Sequence, residues 1–201
     1  MNKRIILASA SPRRRELLSL ITNDFEIITK EVDERSAEIE MENNGTPAVR
    51  VSEGLALMKA KAVYDGLPEE EKKHVLVIGA DTSVILDNEI FGKPKDREDA
   101  VSMLTRLSGR KHVVATGVAL ITSEKTECFT EETQVEFFEL DRHQKELIER
   151  YCSTDEPYDK AGAYGIQNGG ALLVRKIDGD FSNVVGLPVP ILARHIESVI
   201  Y

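Results

Sequence analysis

Apolar residues in the first half of the chain occur either in short continuous runs or at helical spacing. The continuous runs are typical of buried strands, and they fall at residues 4–8, 25–28 and 75–79. Helical spacing follows two Ser/Thr-Pro pairs, each an N-cap and a first helical position, which predicts helices from Ser11 to about Ile21 and from Thr46 to Gly66. The acidic segment 32–44 is predicted to be an irregular surface segment.

The second half of the chain combines helices with hairpins. Asp96 and the Asp141/Gln144 pair are typical helix N-caps, so a helix is predicted after each, and a last amphipathic helix is predicted from about Pro190 to Ile200. Alternating apolar positions predict three hairpins, which join 84–86 to 89–91, 113–121 to 127–138 and 171–177 to 181–185. This order predicts an α/β fold with a mixed, twisted sheet and covering helices.

The length and composition fit either one compact α/β domain or two lobes that share a cleft. The 201 residues are 41% hydrophobic and 30% charged, and no repeat or linker marks an internal boundary. The two cysteines, Cys128 and Cys152, form no C-x-x-C pair, and no apolar run approaches the roughly 18 residues of a membrane span. We therefore expect a cytoplasmic protein without a membrane partner, a disulfide framework or a zinc site.

The formal net charge of −9 is unevenly distributed along the sequence. Residues 1–15 carry five basic side chains and no acidic one, whereas the remainder is acidic. This balance suits a duplex nucleic acid poorly, so no nucleic-acid partner is expected, but it suits a small polyanion. Walker A and G-x-G-x-x-G motifs are absent, and a solvated charge cluster would give the same pattern.

Ser9, Arg13 and Arg14 surround the predicted start of the first helix. Small residues there let a ligand approach the backbone, and the free N–H groups of a helix N-terminus favour an anion. Two arginines in a first helical turn oppose the helix dipole, a penalty that a bound polyphosphate would reverse. Phosphate binding is therefore the favoured interpretation of this segment.

Asp81 follows a predicted buried strand, which is where open α/β sheets place their ligands. Its carboxylate could hold a divalent cation, act as a general base or merely cap a turn. Asp33 and Glu34 could complete an oxygen site for Mg²⁺, or they could belong to solvated surface.

Lys59, Lys93 and Gln167 are further candidates for ligand binding. Lys59 lies at the edge of an apolar helix face, where a surface lysine with a buried stem is the alternative. Lys93 is held between a glycine and a proline. Gln167 lies in a glycine-rich segment, which is either a binding loop or a plain connector. No histidine pair or nucleophile elbow is present, so histidine catalysis is not predicted.

Taken together, these segments resemble the Maf family, formerly called septum-formation proteins and now regarded as nucleoside triphosphate pyrophosphatases. The resemblance extends from Leu7 to Pro188. Its motifs are L-A-S…S-P-R-R at 7–14, G-A-D-T at 79–82, G-K-P at 92–94, L-S-G at 107–109, D-K-A-G-A-Y-G-I-Q at 159–167 and V-V-G-L-P at 184–188.

The resemblance implies an inosine-triphosphatase-like fold. One Maf-like domain, residues 1–201, would form two lobes that share one active-site cleft, and a homodimer is common in the family. The implied reaction is the hydrolysis of a nucleoside triphosphate to the monophosphate and pyrophosphate, with a divalent cation, Mg²⁺ or Mn²⁺, as cofactor.

The resemblance also assigns residues by position. Residues that match the lining of the triphosphate cleft are Ser9, Arg13, Arg14, Lys59 and Lys93. Glu34 matches the acidic residue of the metal region, and Asp81 matches the proposed proton acceptor, which is also a candidate metal ligand. Positions tied to substrate choice are Arg13, Thr82 and Gln167, and the Gln167 segment resembles the branch that hydrolyses dTTP and UTP rather than 7-methyl-GTP.

Two classes of function follow from this resemblance. The first is a pyrophosphatase that acts on dTTP, UTP or modified pyrimidine nucleotides, with a link to cell-division arrest. The second is a nucleotide-binding regulator of division and septum formation without significant turnover. The candidate base Asp81, together with both arginines and both lysines, favours the enzyme, because a pure sensor needs no base.

Overall fold

The computed structural model describes residues 3–200, which form seven β-strands and eight α-helices. The strands are β1 Arg4–Leu7, β2 Phe25–Ile27, β3 Val75–Leu86, β4 Glu89–Phe91, β5 Lys111–Ile121, β6 Thr126–Phe137 and β7 Val174–Asp178. The helices are α1 Pro12–Leu18, α2 Glu34–Asn43, α3 Ala48–Asp65, α4 Glu69–Lys72, α5 Arg97–Leu107, α6 Arg142–Tyr151, α7 Phe181–Val185 and α8 Val189–Ile200. Two 3₁₀ turns lie at Ala161–Ala163 and Gly169–Leu173.

The strands form one mixed sheet, which confirms the predicted α/β class with covering helices. The strand order is β2-β1-β3-β5-β6-β7, and β4 pairs with β3. β1 runs parallel to β2 and β3, whereas β4 and β7 run antiparallel to β3 and β6. The chain divides into two compact units. The first unit comprises the chain up to Asp81, residues 116–131 and the chain from Gly186 onward; the second comprises residues 82–115 and 132–185.

In the first unit, helices pack on both faces of the strands. Alternate strand residues point to opposite faces, so β1 and β3 each supply two hydrophobic sets. One set packs with α1 and α8 and includes Leu7, Leu18, Ile78, Leu192 and Ile196. The other set packs with α3 and includes Ile6, Ala56, Ala60, Val63 and Val77. Because both faces of β1 and β3 are buried, the sequences of these two strands are continuous apolar runs.

The second unit has one hydrophobic core beneath α5 and α6. Its buried members include Leu86, Leu104, Phe137, Ile148 and Leu173. Asp96 and Asp141 cap the two helices as predicted, since their Oδ1 atoms accept from the backbone N–H groups of Asp99 and Gln144, at 2.8 Å in both cases. The Gln144 side chain donates to the Leu173 carbonyl at 3.3 Å instead of completing a reciprocal capping box.

Segment 32–44 was predicted to be irregular, and this is wrong because α2 occupies most of it. Asp33 caps the helix, since its Oδ1 accepts from the Ser36 N–H at 3.0 Å. The residues that follow are mainly Glu, Ala, Met and Arg, which favour helix by intrinsic propensity even where apolar periodicity is weak.

The predicted hairpin between 171–177 and 181–185 is also wrong, because the second segment is helix α7. Asp180 accepts from the Ser182 N–H at 2.7 Å, and this local cap opens a helix in a stretch that β-propensity would make a strand. The buried Asn183 then donates to the Val114 carbonyl at 3.0 Å and to Thr133 Oγ1 at 2.9 Å.

Some boundaries also differ from those expected, and α3 begins at Ala48 with Pro47 rather than Thr46 as its N-cap. α1 ends at Leu18 rather than Ile21, and the Ser19 hydroxyl donates to the Arg15 carbonyl at the helix end. β3 does not stop before Asp81 but continues to Leu86, where it pairs with β4 through the Asp87-Asn88 turn. Both turn residues have positive φ, as a two-residue hairpin turn requires.

Cys128 and Cys152 are free thiols, and Cys152 is buried. Within residues 3–200, no helix has the length and hydropathy needed to cross a bilayer.

Candidate functional site

Three of the predicted site residues meet in the first unit around one ammonium group. Lys59 Nζ lies 2.7 Å from Asp81 Oδ1 and 2.8 Å from Glu34 Oε2. The Lys59 and Asp81 side chains are only 15% and 14% exposed, whereas that of Glu34 is 52% exposed. We call these three residues the Lys59 cluster. The candidate base, Asp81, and the candidate metal-region acid, Glu34, thus both contact the Lys59 ammonium.

A close helix-strand contact places Lys59 over Asp81. A Cβ built on Gly79 of β3 would lie 2.2 Å from the Ala56 carbonyl oxygen and 2.8 Å from the Ala60 Cβ of α3. Only glycine allows α3 to approach the strand so closely. Lys59 immediately precedes Ala60, and Asp81 comes two residues after Gly79, so this contact sets the distance that the lysine side chain must span.

Glu34 contacts Lys59 because the N-terminus of α2 lies beside the Lys59 ammonium. It is the first residue of the helix, directly after the Asp33 cap. Its neighbour Asp33 accepts from the Ser36 N–H, and that hydrogen bond lowers the pKa of the Asp33 carboxyl. Of the two acids proposed for an oxygen site, Asp33 is therefore occupied as a helix cap, and Glu34 contacts Lys59.

Arg14 lies beside Ser9 at the end of β1. Its Nε donates to the Gly186 carbonyl at 2.9 Å, and its guanidinium donates to the Ser9 hydroxyl at 3.3 Å. Burial lowers the pKa of Arg14; the charges of Asp81 and Glu34 oppose that shift, whereas Arg13 reinforces it. Arg14 is thus close enough to Asp81 and Glu34 to interact with both electrostatically.

The positive charge at this end of the first unit comes mainly from side chains. Ser11 caps α1, since its hydroxyl accepts from the Arg14 N–H at 3.5 Å. The helix has seven residues, so few peptide dipoles align in it, and the expected contribution of its N-terminus is small. The Gly186 carbonyl that orients Arg14 is a contact that sequence reasoning missed, although it belongs to the V-V-G-L-P motif at 184–188.

The other predicted substrate residues, Thr82, Lys93 and Gln167, belong to the second unit. Thr82 lies in β3 directly after Asp81, while Lys93 and Gln167 are exposed. A backbone hydrogen bond of 3.0 Å joins the Gly162 N–H to the Gly92 carbonyl. The segment that carries Lys93 is therefore tied to the glycine-rich segment 159–170, which we call the Gln167 loop.

Two tyrosines and a histidine anchor the Gln167 loop, and sequence reasoning missed all three. The buried Tyr164 hydroxyl lies 2.7 Å from Nε2 of the buried His112, and the Tyr151 hydroxyl accepts from the Gly165 N–H at 3.2 Å. Gly162 and Ala163 both have positive φ, so the loop turns back sharply before Tyr164. The tyrosine within a run of small residues was the one sequence signal for such an anchor.

His112 is held neutral by its surroundings. Burial lowers the pKa of His112 to about 4, and its ring makes edge contacts with Phe137 and Tyr164. Burial likewise raises the pKa of Tyr164, and raises that of Tyr151 to about 12, so both hydroxyls keep their protons near neutral pH. The anchor is therefore a neutral hydrogen-bonded group.

The Lys59 cluster fits a divalent cation that arrives together with phosphate oxygens. Nowhere in residues 3–200 do three or more His, Cys, Asp or Glu side chains group in a way that could hold a metal by themselves. Mg²⁺ commonly binds through one or two carboxylates and completes its shell with substrate phosphates and water. Asp81 and Glu34 supply two carboxylates of the required hard-oxygen type.

Comparisons with known proteins identify the family of this chain. They are consistent with its α/β fold, its basic Ser9–Arg14 segment and the two carboxylates beside Lys59. The family model described as Maf-like protein matches residues 4–199, so the chain belongs to the Maf family. This confirms the resemblance inferred from the motifs.

Curated relatives are similar over nearly the whole chain. A protein of Bacillus velezensis named dTTP/UTP pyrophosphatase is 49% identical over 98% of this chain and 97% of its own length. Proteins of the same name from Bacillus cytotoxicus and Thermosipho africanus are both 47% identical, over 97% and 92% of this chain and 95% and 88% of their own lengths. Among solved structures, the Staphylococcus aureus Ham1 protein matches 67% of this chain and 72% of its own, with a TM-score of 0.47 and 17% identity.

Proposed function

We propose that this protein hydrolyses dTTP and UTP, including modified pyrimidine nucleotides of the same type, to the monophosphate and pyrophosphate. The observation that carries the proposal is the position of Asp81, a nearly buried carboxylate beside Lys59 and within electrostatic reach of Arg14. A carboxylate can accept a proton from water as a general base, and the neighbouring cations allow it to lie close to a polyanion. The names of the relatives, at 47–49% identity, support the choice of substrates.

In the proposed reaction, each group of the first unit acts on one part of the triphosphate. Asp81 accepts a proton from water while the water oxygen bonds to the α-phosphorus, and the bond from that phosphorus to the pyrophosphate oxygen breaks. Arg13, Arg14 and Ser9 bind phosphate oxygens and offset the negative charge of the leaving pyrophosphate. Glu34 and Asp81 would hold Mg²⁺ or Mn²⁺, which when bound supplies charge neutralisation at the phosphates.

The residues of the second unit are assigned to substrate recognition. Lys93 would contact phosphate, and Thr82 and Gln167 would take part in substrate choice together with Arg13. The anchored Gln167 loop supports this role, because a side chain that reads a base must be presented by a backbone of defined position. A homodimer and a cytoplasmic location remain predictions, and light scattering during size-exclusion chromatography tests the first.

The test is a panel of dTTP, UTP, CTP, GTP and 7-methyl-GTP with Mg²⁺ or Mn²⁺, with the products separated. Release of monophosphate and pyrophosphate from dTTP and UTP is expected. Release of diphosphate and phosphate would contradict attack at the α-phosphorus. Binding of dTTP without turnover at saturating metal would favour the regulator instead.

A further inference from the structure

Lys59 holds two carboxylates that the proposed function needs for a metal. Its ammonium lies within 2.8 Å of both Asp81 and Glu34, so it occupies the place of a shared cation. Yet Lys59 is also assigned to the triphosphate cleft by its position in the family pattern. One ammonium cannot form close ion pairs with two carboxylates and a polyphosphate at the same time. The Lys59 side chain therefore needs two arrangements, one on the carboxylates and one on the phosphate.

We propose that the Lys59 ammonium and the divalent cation compete for the same two carboxylates, so that metal entry releases Lys59. The inference rests on the proposed function only for the identity of the metal; the competition itself concerns residues of the first unit. In the metal-free protein, Lys59 acts as an internal counter-ion. Once a divalent cation neutralises Asp81 and Glu34, the ammonium is free to bind an anion.

Burial explains why the Asp81 carboxylate needs a cation at all times. The Asp81 side chain is 14% exposed, and a desolvated carboxylate without a partner is costly. The Lys59 side chain is only 15% exposed, so its ammonium is also largely removed from water and is stabilised by the two acids in the metal-free protein. A metal that binds there must first displace the ammonium from a charge-assisted hydrogen bond with Asp81 and from an ion pair with Glu34, so Lys59 weakens metal affinity while it stabilises the empty site.

Competition also couples the metal to the nucleotide. Arg14 already lies near the two acids, and a released ammonium adds another positive charge next to the phosphate-binding segment. Free metal is therefore held weakly, and a metal-triphosphate complex is held better because it supplies an anion for the released lysine. This arrangement would limit the loading of the site by metal alone.

The direct test measures Mn²⁺ binding by electron paramagnetic resonance, without nucleotide, in wild type, Lys59→Met and Lys59→Arg. Removal of the competing cation should tighten Mn²⁺ binding by about 10-fold or more, the size expected when the charged hydrogen bond between Lys59 and Asp81 no longer has to be broken. Lys59→Arg should bind like the wild type. Lys61→Met, an exposed lysine of the same helix, is the matched control and should show no change.

A second readout uses the wild-type protein, so it does not depend on the folding of a variant. Trace acetylation followed by peptide mass spectrometry reports the reactivity of each lysine amine. Mg²⁺ should raise the labelling of Lys59 several-fold, because an ion-paired amine reacts slowly, and should leave Lys61 unchanged.

Two results would overturn the competition. One is Mn²⁺ affinity in folded Lys59→Met that equals or falls below that of the wild type. The other is Lys59 labelling in the wild type that Mg²⁺ leaves unchanged or lowers. Since neither measurement contains nucleotide, a protein that fails to hydrolyse dTTP and UTP but shows tighter Mn²⁺ binding would overturn the proposed function and leave the competition intact.

Discussion

At the scale of single residues, the chemistry depends on how each charge is partnered. Asp81 and Lys59 are both nearly buried and lie 2.7 Å apart, so each offsets the charge of the other. Glu34 is half exposed, and its contribution to the fold is correspondingly small. The residue with the strongest case for a direct role in the reaction is Asp81, because it combines burial, a carboxylate and a cationic surrounding.

Asp81→Asn should lower kcat for dTTP by about 10²–10⁴-fold, the usual effect of losing a general base. The amide has nearly the same shape and still accepts from Lys59, so the fold should persist. Steady-state kinetics at saturating metal, with circular dichroism, measure both. Asp24→Asn, an exposed acid of the first unit, should leave kcat unchanged. Turnover of Asp81→Asn near that of the wild type would remove Asp81 from the mechanism.

Gln167→Ala should reduce the preference for dTTP and UTP over CTP. A glutamine amide offers an acceptor and a donor side by side, which pairs with the N3–H and one carbonyl of uracil or thymine. Cytosine presents the opposite polarity there, and an unsatisfied buried group costs about 1–3 kcal/mol, or about 5–150-fold in kcat/KM. The ratio of kcat/KM values for UTP and CTP measures this, with Gln134→Ala, an exposed glutamine of β6, as control. An intact ranking in Gln167→Ala would contradict base reading by this residue.

At the scale of elements, glycines decide how closely α3 approaches the strands of the first unit. A Cβ on Gly79 would meet the Ala56 carbonyl oxygen at 2.2 Å, and a Cβ on Gly117 would meet the Glu53 backbone nitrogen at 2.2 Å. Both contacts involve backbone atoms, which cannot move aside as a flexible side chain would. α3 carries Lys59, so the position of the ammonium depends on these two glycines.

Gly79→Ala should lower the free energy of unfolding by about 1–3 kcal/mol, the usual cost of overpacking, and should also impair dTTP hydrolysis by displacing α3. Urea unfolding and steady-state kinetics measure the two effects. Gly92→Ala is the matched control for stability, because a Cβ there meets nothing within 4 Å. Equal stability of Gly79→Ala and wild type would show that α3 can shift at no cost.

At the scale of the whole molecule, the buried histidine His112, which lies outside the proposed catalytic residues, links stability to pH. It is buried in the second unit, where its Nε2 is hydrogen-bonded to the Tyr164 hydroxyl. Burial lowers the pKa of His112 to about 4. The ordinary value is about 6.5, so the unfolded chain binds this proton at a higher pH than the folded chain does. Stability from this group is therefore complete above about pH 6.5 and is lost as the pH falls toward 4.

Acidification from pH 7 to 4.5 should lower the free energy of unfolding of the wild type by about 2–3 kcal/mol more than that of His112→Gln. Glutamine does not titrate and retains a polar group for Tyr164. Urea unfolding at several pH values supplies the comparison, and His143→Gln, an exposed histidine, should follow the wild type. If wild type and His112→Gln lose stability in parallel, His112 is not the source of the acid lability.

Local chemistry made much of this molecule predictable from the sequence. The continuous apolar runs of β1 and β3, the caps at Ser11, Asp96 and Asp141, and the Asp87-Asn88 turn act within a few residues, so their signals survive in a linear chain. The same reasoning failed where two local signals compete. A capping aspartate opened α2 and α7 in segments whose apolar pattern indicated a loop and a strand.

The sequence by itself determined the α/β class, the Maf family and the identity of the candidate residues, because ordered motifs and hydrophobic periodicity are properties of the chain. Only the tertiary structure decided their partners. Lys59 and Asp81 are 22 residues apart and meet because a glycine lets a helix lie on a strand; His112 and Tyr164 are 52 residues apart and meet in a core. Contacts over such distances depend on packing between elements, and no local pattern encodes which polar atoms that packing brings within hydrogen-bond reach.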